Sequence, residues 1–338
     1  MTITLRPYQV AAVERARQVL REGKKRFIIT LATGAGKTVV AEEIIRGAVA
    51  KGKRVAFIAN RIQLVKQASD HLARGGLDHG IIQGDNTINP HKQVIVCSIH
   101  TVARRGIPPV DVIVIDEAHG VPGTKAYIDL MQSHNNLPCI GLSATPFAKG
   151  LGRAMEEVHA PLFEELIVSA TIGDLVKQGF LVDCDIFVPT EIDLTGVRMK
   201  KNEFGERDYV EADLEKAVDT PKLVGDIVEH WIAFANHKPT VVFASSIAHS
   251  KHICGRFSEI GVPAEHIDCY TDDEERVAIM QRVASGETKV ISNVNILTEG
   301  WDFPACEVMI LARPTKSLTR YIQMAGRILR PYPGKTSG

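Results

Sequence analysis

The stretch Thr33-Gly34-Ala35-Gly36-Lys37-Thr38 joins small, flexible and cationic residues in an order suited to holding a triphosphate. Gly34 and Gly36 let backbone N–H groups close around phosphate oxygens, and a helix starting there adds partial positive charge. Lys37 is placed to reach the β- and γ-phosphates of ATP, and the Thr38 hydroxyl to ligate Mg2+. The strict phosphate-loop pattern has a glycine where this chain has Leu31. Taken alone the stretch also reads as a glycine turn followed by an ordinary exposed lysine. Its setting argues for the phosphate loop: the apolar run Ile28-Ile29-Thr30-Leu31 leads in, and a helical pattern over residues 39–50 leads out.

A second constellation, Asp116-Glu117-Ala118-His119, follows Val112-Ile113-Val114-Ile115 directly. Two carboxylates at the tip of a buried strand are costly to desolvate unless they meet a cation. Asp116 is placed to hold the Mg2+ that Thr38 touches, and Glu117 to orient and deprotonate an attacking water. His119 has two options, a hydrogen bond toward the γ-phosphate or one toward a second domain. Without the phosphate loop upstream, the same tetrapeptide would read as a solvated strand-to-loop turn.

Such residues need a frame. Apolar runs over 26–31, 54–59, 93–98, 110–115 and 138–142 alternate with helical patterns and are near-continuous, as strands buried on both faces of a parallel sheet require. The first helix opens at Pro7, sends Val10, Val13 and Leu20 toward a core, and stops at Gly23. The alternation predicts a doubly wound α/β domain over 1–150. Residues 151–220 form a looser connecting segment, in which the charged stretch 194–208 reads as an exposed excursion or hairpin. Strand candidates at 240–244, 264–269, 289–293 and 307–311, with helices at 247–260, 272–284 and 317–329, restore the alternation over 221–338. The expected fold class is α/β, two tandem domains with mostly parallel sheets.

Composition narrows the class further. With 45% hydrophobic and 24% charged residues in 338, the chain is neither disordered, collagen-like nor a coiled coil. Forty basic residues balance forty acidic ones, so binding to nucleic acid must come from a local face and not from net charge. The six cysteines show no CxxC, and neither they nor the twelve histidines have zinc-finger spacing, which favours buried free thiols. Apolar runs fall far short of the ~18 residues that span a bilayer, and the start of the chain lacks a signal-peptide core. A soluble cytoplasmic protein with no membrane partner is expected.

Four motifs taken in order resemble superfamily 2 helicases: ATGAGKT around Lys37, DEAH at Asp116–His119, Ser143-Ala144-Thr145, and Gln323-Met324-Ala325-Gly326-Arg327-Ile328-Leu329-Arg330, similar to QxxGRxxR. Leu5-Arg6-Pro7-Tyr8-Gln9 and Thr298-Glu299-Gly300-Trp301-Asp302 look most like the XPB/RadD-like branch, which includes type III restriction motors. The resemblance implies two RecA-like domains with ATP in a cleft between them and nucleic acid, DNA more than RNA, lying across both. It places Arg327 and Arg330, three apart on the 317–329 helix or its end, at the γ-phosphate, with Arg330 as arginine finger; otherwise both are helix-end arginines facing the C-terminal dipole. Gln323 belongs to the same nucleotide-facing motif. Arg6 and Gln9 match the place that reads adenine, although LRPYQ is also an adequate helix start.

Ser143 and Thr145 match the segment coupling ATP state to domain closure. Gly300 and Asp302 match a cleft-facing loop, with Asp302 near the ribose and Thr298 nearer the nucleic acid. Asn60, Arg61, Ser98, Thr101, Arg104, Arg105, Ser245 and Ser246 follow candidate strands and match segments that touch the phosphate backbone. Trp301 offers either a stacking surface for a base or a packing group beside the motif. The chain stops just beyond Arg330, where this family often continues, so a fragment of a longer protein and a compact complete one are both open.

Overall fold

The computed structural model describes residues 4–146, 151–152, 162–188, 191–202, 206–235, 237–298, 301 and 303–338. Gly300 and Asp302 lie outside the described residues. The chain divides between Asp174 and Leu175 into two compact units.

In the first unit, chain order runs α1 (Pro7–Arg21), β1 (Arg26–Leu31), α2 (Lys37–Val49), β2 (Val55–Ala59), α3 (Ile62–Arg74), β3 (Gly80–Gln83), β4 (Asn86–Ile88), β5 (Val94–Ser98), α4 (Ile99–Arg105), β6 (Val112–Ile115), α5 (Lys125–Ser133), β7 (Cys139–Ser143) and β8 (Glu165–Ala170). A 3-10 turn, Ala118–Gly123, follows β6. The sheet order is β4-β3-β5-β2-β6-β7-β1-β8, and every pairing is parallel except β3 with β4. β2, β5 and β7 are buried at all positions, which explains their unbroken apolar sequences. Because β1, β2, β5, β6 and β7 run parallel, the residues that follow them all emerge at one edge of the sheet.

Residues 172–177 make a short helix, α6 (Ile172–Lys177), that spans the division. The second unit continues with β9 (Met199–Lys201), β10 (Arg207–Tyr209), α7 (Glu211–Val218), α8 (Pro221–His230), β11 (Thr240–Phe243), α9 (Ile247–Glu259), β12 (Ala264–Ile267), α10 (Asp273–Ser285), β13 (Val290–Asn293), β14 (Val308–Leu311) and α11 (Leu318–Ala325). A single π-helical turn, Trp231–Ala235, extends α8. Its sheet is all parallel, in the order β12-β13-β11-β14, while β9 and β10 pair antiparallel as a separate ribbon. The excursion expected at 194–208 is thus a hairpin.

Several expectations need correction. Val10 and Leu20 are 38% and 37% exposed. α1 buries Tyr8, Ala12, Ala16 and Val19, a stripe stepping by four, four and three that leaves both aside. β8 was assigned to the connecting segment, but it forms an edge of the first sheet. Only Ile167 of β8 is buried, so neither strand alternation nor a continuous apolar run marks it. α11 ends at Ala325 with Gly326 as its cap, so Arg327 and Arg330 lie on the turns beyond the helix, from which both reach the Trp301 carbonyl. Cys97, Cys139, Cys254 and Cys306 are buried and their thiols are pushed up to about 12 by desolvation, whereas Cys184 is half-buried and Cys269 exposed. No helix among the described residues is long and apolar enough to cross a membrane.

Candidate nucleotide site and its surroundings

β1 delivers the chain to a loop in which Gly34 and Gly36 both adopt φ +83°. An L side chain is strained there, and the turn they make aims α2 away from the strand. Gly36 is the N-cap of α2, whose first two residues are Lys37 and Thr38. The Ala35 carbonyl is fixed from outside the loop by Tyr8 Oη and Gln9 Nε2, each donating at 2.9 Å. Sequence reading missed Tyr8, although LRPYQ contains it. A phenol can brace a loop while its ring packs, and nothing in the spacing says which loop.

Gln9 is buried, and its Oε1 accepts from the Arg6 backbone N–H at 2.9 Å, so its amide serves the helix start and the loop together. Arg6 donates to Tyr8 Oη at 3.2 Å.

Asp116 and Glu117 sit where β6 ends. Asp116 is anchored by its own N–H to Ile58 O at 2.9 Å, and its carboxylate accepts from Glu117 N–H at 3.0 Å. Glu117 holds a left-handed conformation, φ 47° and ψ 50°, uncommon for a non-glycine residue and a feature that gathers at functional sites. Its carboxylate meets Lys37 Nζ at 2.5 Å, with both side chains mostly buried. The phosphate-loop lysine therefore holds a carboxylate, an anion of the kind a phosphate would replace.

His119, 1% exposed, connects two motifs separated in sequence. Its Nδ1 lies 3.1 Å from Ser143 Oγ, 3.4 Å from Thr145 Oγ1 and 3.4 Å from a Glu117 oxygen. Ser143 Oγ accepts from Thr145 N–H at 3.0 Å. A cluster running from Lys37 through Glu117 and His119 to Ser143 and Thr145 is thus continuous within the first unit. Gly141 lets β7 come this close: a Cβ there would stand 2.7 Å from the Ala118 Cβ. Thr38 and Asp116 supply hydroxyl and carboxylate oxygens, the hard donors that suit Mg2+. Among the described residues no cluster of His, Cys, Asp and Glu is built to hold a metal by itself.

The candidate nucleic-acid residues divide. Asn60 and Arg61 are half-buried at the edge where β2 ends. Ser98 and Thr101 are buried, and Thr101 Oγ1 accepts from Gly84 N–H at 2.7 Å. In the second unit Ser245 is buried against His249 Nδ1 at 2.8 Å. Ser246 caps α9 and donates to Glu215 at 2.7 Å. These hydroxyls are engaged inside the fold, where sequence reading placed them on a phosphate-facing surface.

Arg327 is 7% exposed and donates to backbone carbonyls, from Nε to Thr298 O at 3.1 Å and from Nη1 to Trp301 O at 2.6 Å. Arg330 is half-buried and reaches Trp301 O at 3.2 Å. Gln323, Thr298 and the Trp301 ring are buried, the ring lying 5.8 Å from that of Phe303. Arg327 thus braces the loop that carries Thr298 and Trp301.

Comparison with known proteins adds family. Residues 2–148 match the model described as type III restriction enzyme, res subunit, and residues 222–332 that of the helicase conserved C-terminal domain. The chain is 29% identical over 362 residues to the putative ATP-dependent helicase IRC3 of Saccharomyces cerevisiae, covering 98% of this chain and 50% of that protein. It is 25% identical over 361 residues to the DNA 3'-5' translocase XPB2 of Sulfurisphaera tokodaii, covering 97% and 79%. A DNA-bound type ISP restriction-modification enzyme, LlaBIII, shares the fold with a TM-score of 0.71 at 20% identity, over 100% of this chain and 27% of that one. The chain spans 50–62% of the length of several curated relatives. With both family models in tandem along it, this chain belongs to the superfamily 2 helicases.

Proposed function

We propose that this chain is a nucleic-acid-stimulated ATPase motor that moves along or opens DNA. The observation that carries the reading is the 2.5 Å contact between Lys37 and Glu117, which sets the phosphate-binding cation beside the general base. Lys37 exchanges the carboxylate for the β- and γ-phosphates of ATP, and Glu117 is released to orient a water and take its proton. Thr38 and Asp116 would hold Mg2+, which supplies charge neutralisation at the β- and γ-oxygens. The backbone N–H groups of Thr33, Gly34 and Gly36 would cradle phosphate, and Arg6 and Gln9 would meet the adenine. His119 keeps its bonds to Ser143 and Thr145 and so passes a change at Glu117 to that segment.

Arg330 is the arginine that completes the γ-phosphate environment during turnover. Arg327 keeps the loop at Thr298 and Trp301 in place for it, and Gln323, Gly300 and Asp302 would be its companions toward nucleotide. Asn60 and Arg61 are the favoured backbone contacts in the first unit. Unequal grip on nucleic acid in two nucleotide states converts hydrolysis into steps.

ATP turnover measured with single-stranded, duplex and forked DNA and with RNA tests this reading. Turnover should rise with DNA, and no rise with either DNA or RNA defeats it. Duplex translocation without strand separation is the second reading, supported by the likeness to a protein named as a translocase. Strand-displacement and triplex-displacement assays run side by side separate the two.

A further inference from the structure

The ribbon of β9 and β10, with α7 behind it, sorts its charges. Glu206 accepts from Ser317 Oγ and, at 3.1 Å, from Thr319 Oγ1. Asp208, 3% exposed, accepts from Thr315 Oγ1 at 2.9 Å, Lys316 N–H at 3.0 Å and Arg320 Nη1 at 2.6 Å. Glu211 meets Arg313 at 2.9 Å. These carboxylates all grip residues 313–320, the segment that leads into and begins α11.

The cations divide between the faces: Lys200 stands opposite the buried Asp208 and shares its face, while Lys201 and Arg207 lie on the other. Every residue of β9, Met199, Lys200 and Lys201, is exposed, as is Arg207 at the start of β10. Arg198 is already held by Asp213 at 2.6 Å. Lys200, Lys201 and Arg207 form no ion pair among the described residues. Lys201 stands directly opposite Arg207 in the register of the ribbon. Like charges facing each other across an antiparallel pair are destabilising, and an isolated two-stranded ribbon is marginal in water. The inward clamp, above all the buried Asp208–Arg320 pair, supplies what the ribbon lacks. The result is a braced edge on which Lys201 and Arg207 share a face and carry two positive charges with no ion pair among the described residues, on a chain whose net charge is zero.

We propose that this edge, with Lys201 and Arg207, is a contact surface for the sugar–phosphate backbone of nucleic acid, separate from the loops at the strand ends. A polyanion laid along it relieves the Lys201–Arg207 repulsion, and a preorganised edge loses little freedom on binding. The inference rests on the proposed action on nucleic acid and deepens it.

The test uses the full chain with K201Q/R207Q, and K201R/R207K as the charge-retaining control. Binding of a fluorescent single-stranded oligonucleotide is followed against salt concentration, with the thermal midpoint as the check on folding. Loss of two phosphate contacts lowers the salt slope by about 1.4 and weakens binding about ten- to thirtyfold near 0.1 M salt. The control should keep the wild-type slope. An unchanged slope and affinity in the neutral variant overturns the inference and hands the ribbon to some other acidic partner. A wild-type chain that binds no oligonucleotide at all overturns the proposed function instead, so the two failures are told apart.

Discussion

The two units treat their charges differently. In the first, ionisable side chains touch one another: Lys37 holds Glu117, and Glu117 approaches His119, which reaches Ser143 and Thr145. In the second, Arg327 is buried on backbone carbonyls, and Arg320 and Arg313 are held by carboxylates of the excursion. A side-chain ion pair exchanges partners when a ligand of the same charge arrives. A guanidinium bonded to carbonyls inside a core has no such alternative and serves as a brace. Lys37–Glu117 is thus an exchangeable pair and Arg327 a brace, with Arg330 left the more accessible of the two motif arginines.

Substitutions can break this contrast. The largest effect is expected for Glu117→Gln, which removes the proton acceptor but keeps the shape. Turnover should fall about 10²–10⁴-fold while nucleotide binding survives, read by steady-state phosphate release and a binding titration. Full turnover in that variant would remove Glu117 from its role.

Asp208→Ala comes next. It takes away the carboxylate that meets Arg320 where both side chains are nearly excluded from water, and should cost about 3–5 kcal/mol in denaturant unfolding of the second unit. Replacing both partners with apolar residues of similar volume should recover most of that loss, because the penalty comes from breaking a buried ion pair on one side only.

A pH titration sharpens the comparison. His249, fully buried beside Ser245 with Glu215, Asp219 and His252 nearby, has its pKa lowered to about 4 by desolvation. It is neutral when folded and takes a proton more readily when unfolded, so stability is complete above about pH 6.5 and declines as the pH falls toward 4. The loss is roughly 3 kcal/mol, and His249→Gln should flatten that part of the stability–pH curve.

The smallest effect belongs to Tyr8→Phe. It deletes one of the two hydrogen bonds fixing Ala35 O, worth about 0.5–1.5 kcal/mol. The expected result is a severalfold rise in KM for ATP with kcat little changed.

Much of the frame was legible in the residues. Unbroken apolar runs marked β2, β5, β6 and β7 to within two residues, because a strand buried on both faces cannot alternate. β8 escaped notice because its sheet-edge position leaves Leu166 and Val168 about half exposed, so no pattern sets it apart from a loop. The expected end of α11 lies too late because the apolar periodicity continues through Ile328 and Leu329, while past Gly326 the backbone goes on in tighter three-residue turns and not as α-helix.

By itself the sequence determined that Lys37, Asp116, Glu117 and Ser143 emerge at one sheet edge, since parallel strands carry whatever follows them to the same side. The tertiary structure alone decided the partners of the polar side chains. Arg327 spends its guanidinium on carbonyls 26 and 29 residues away, Thr101 accepts from Gly84, and Asp208 pairs with a residue 112 positions on. A hydrogen bond is satisfied by whatever atom the fold brings within about 3 Å, and that proximity is a property of packing which no local spacing encodes.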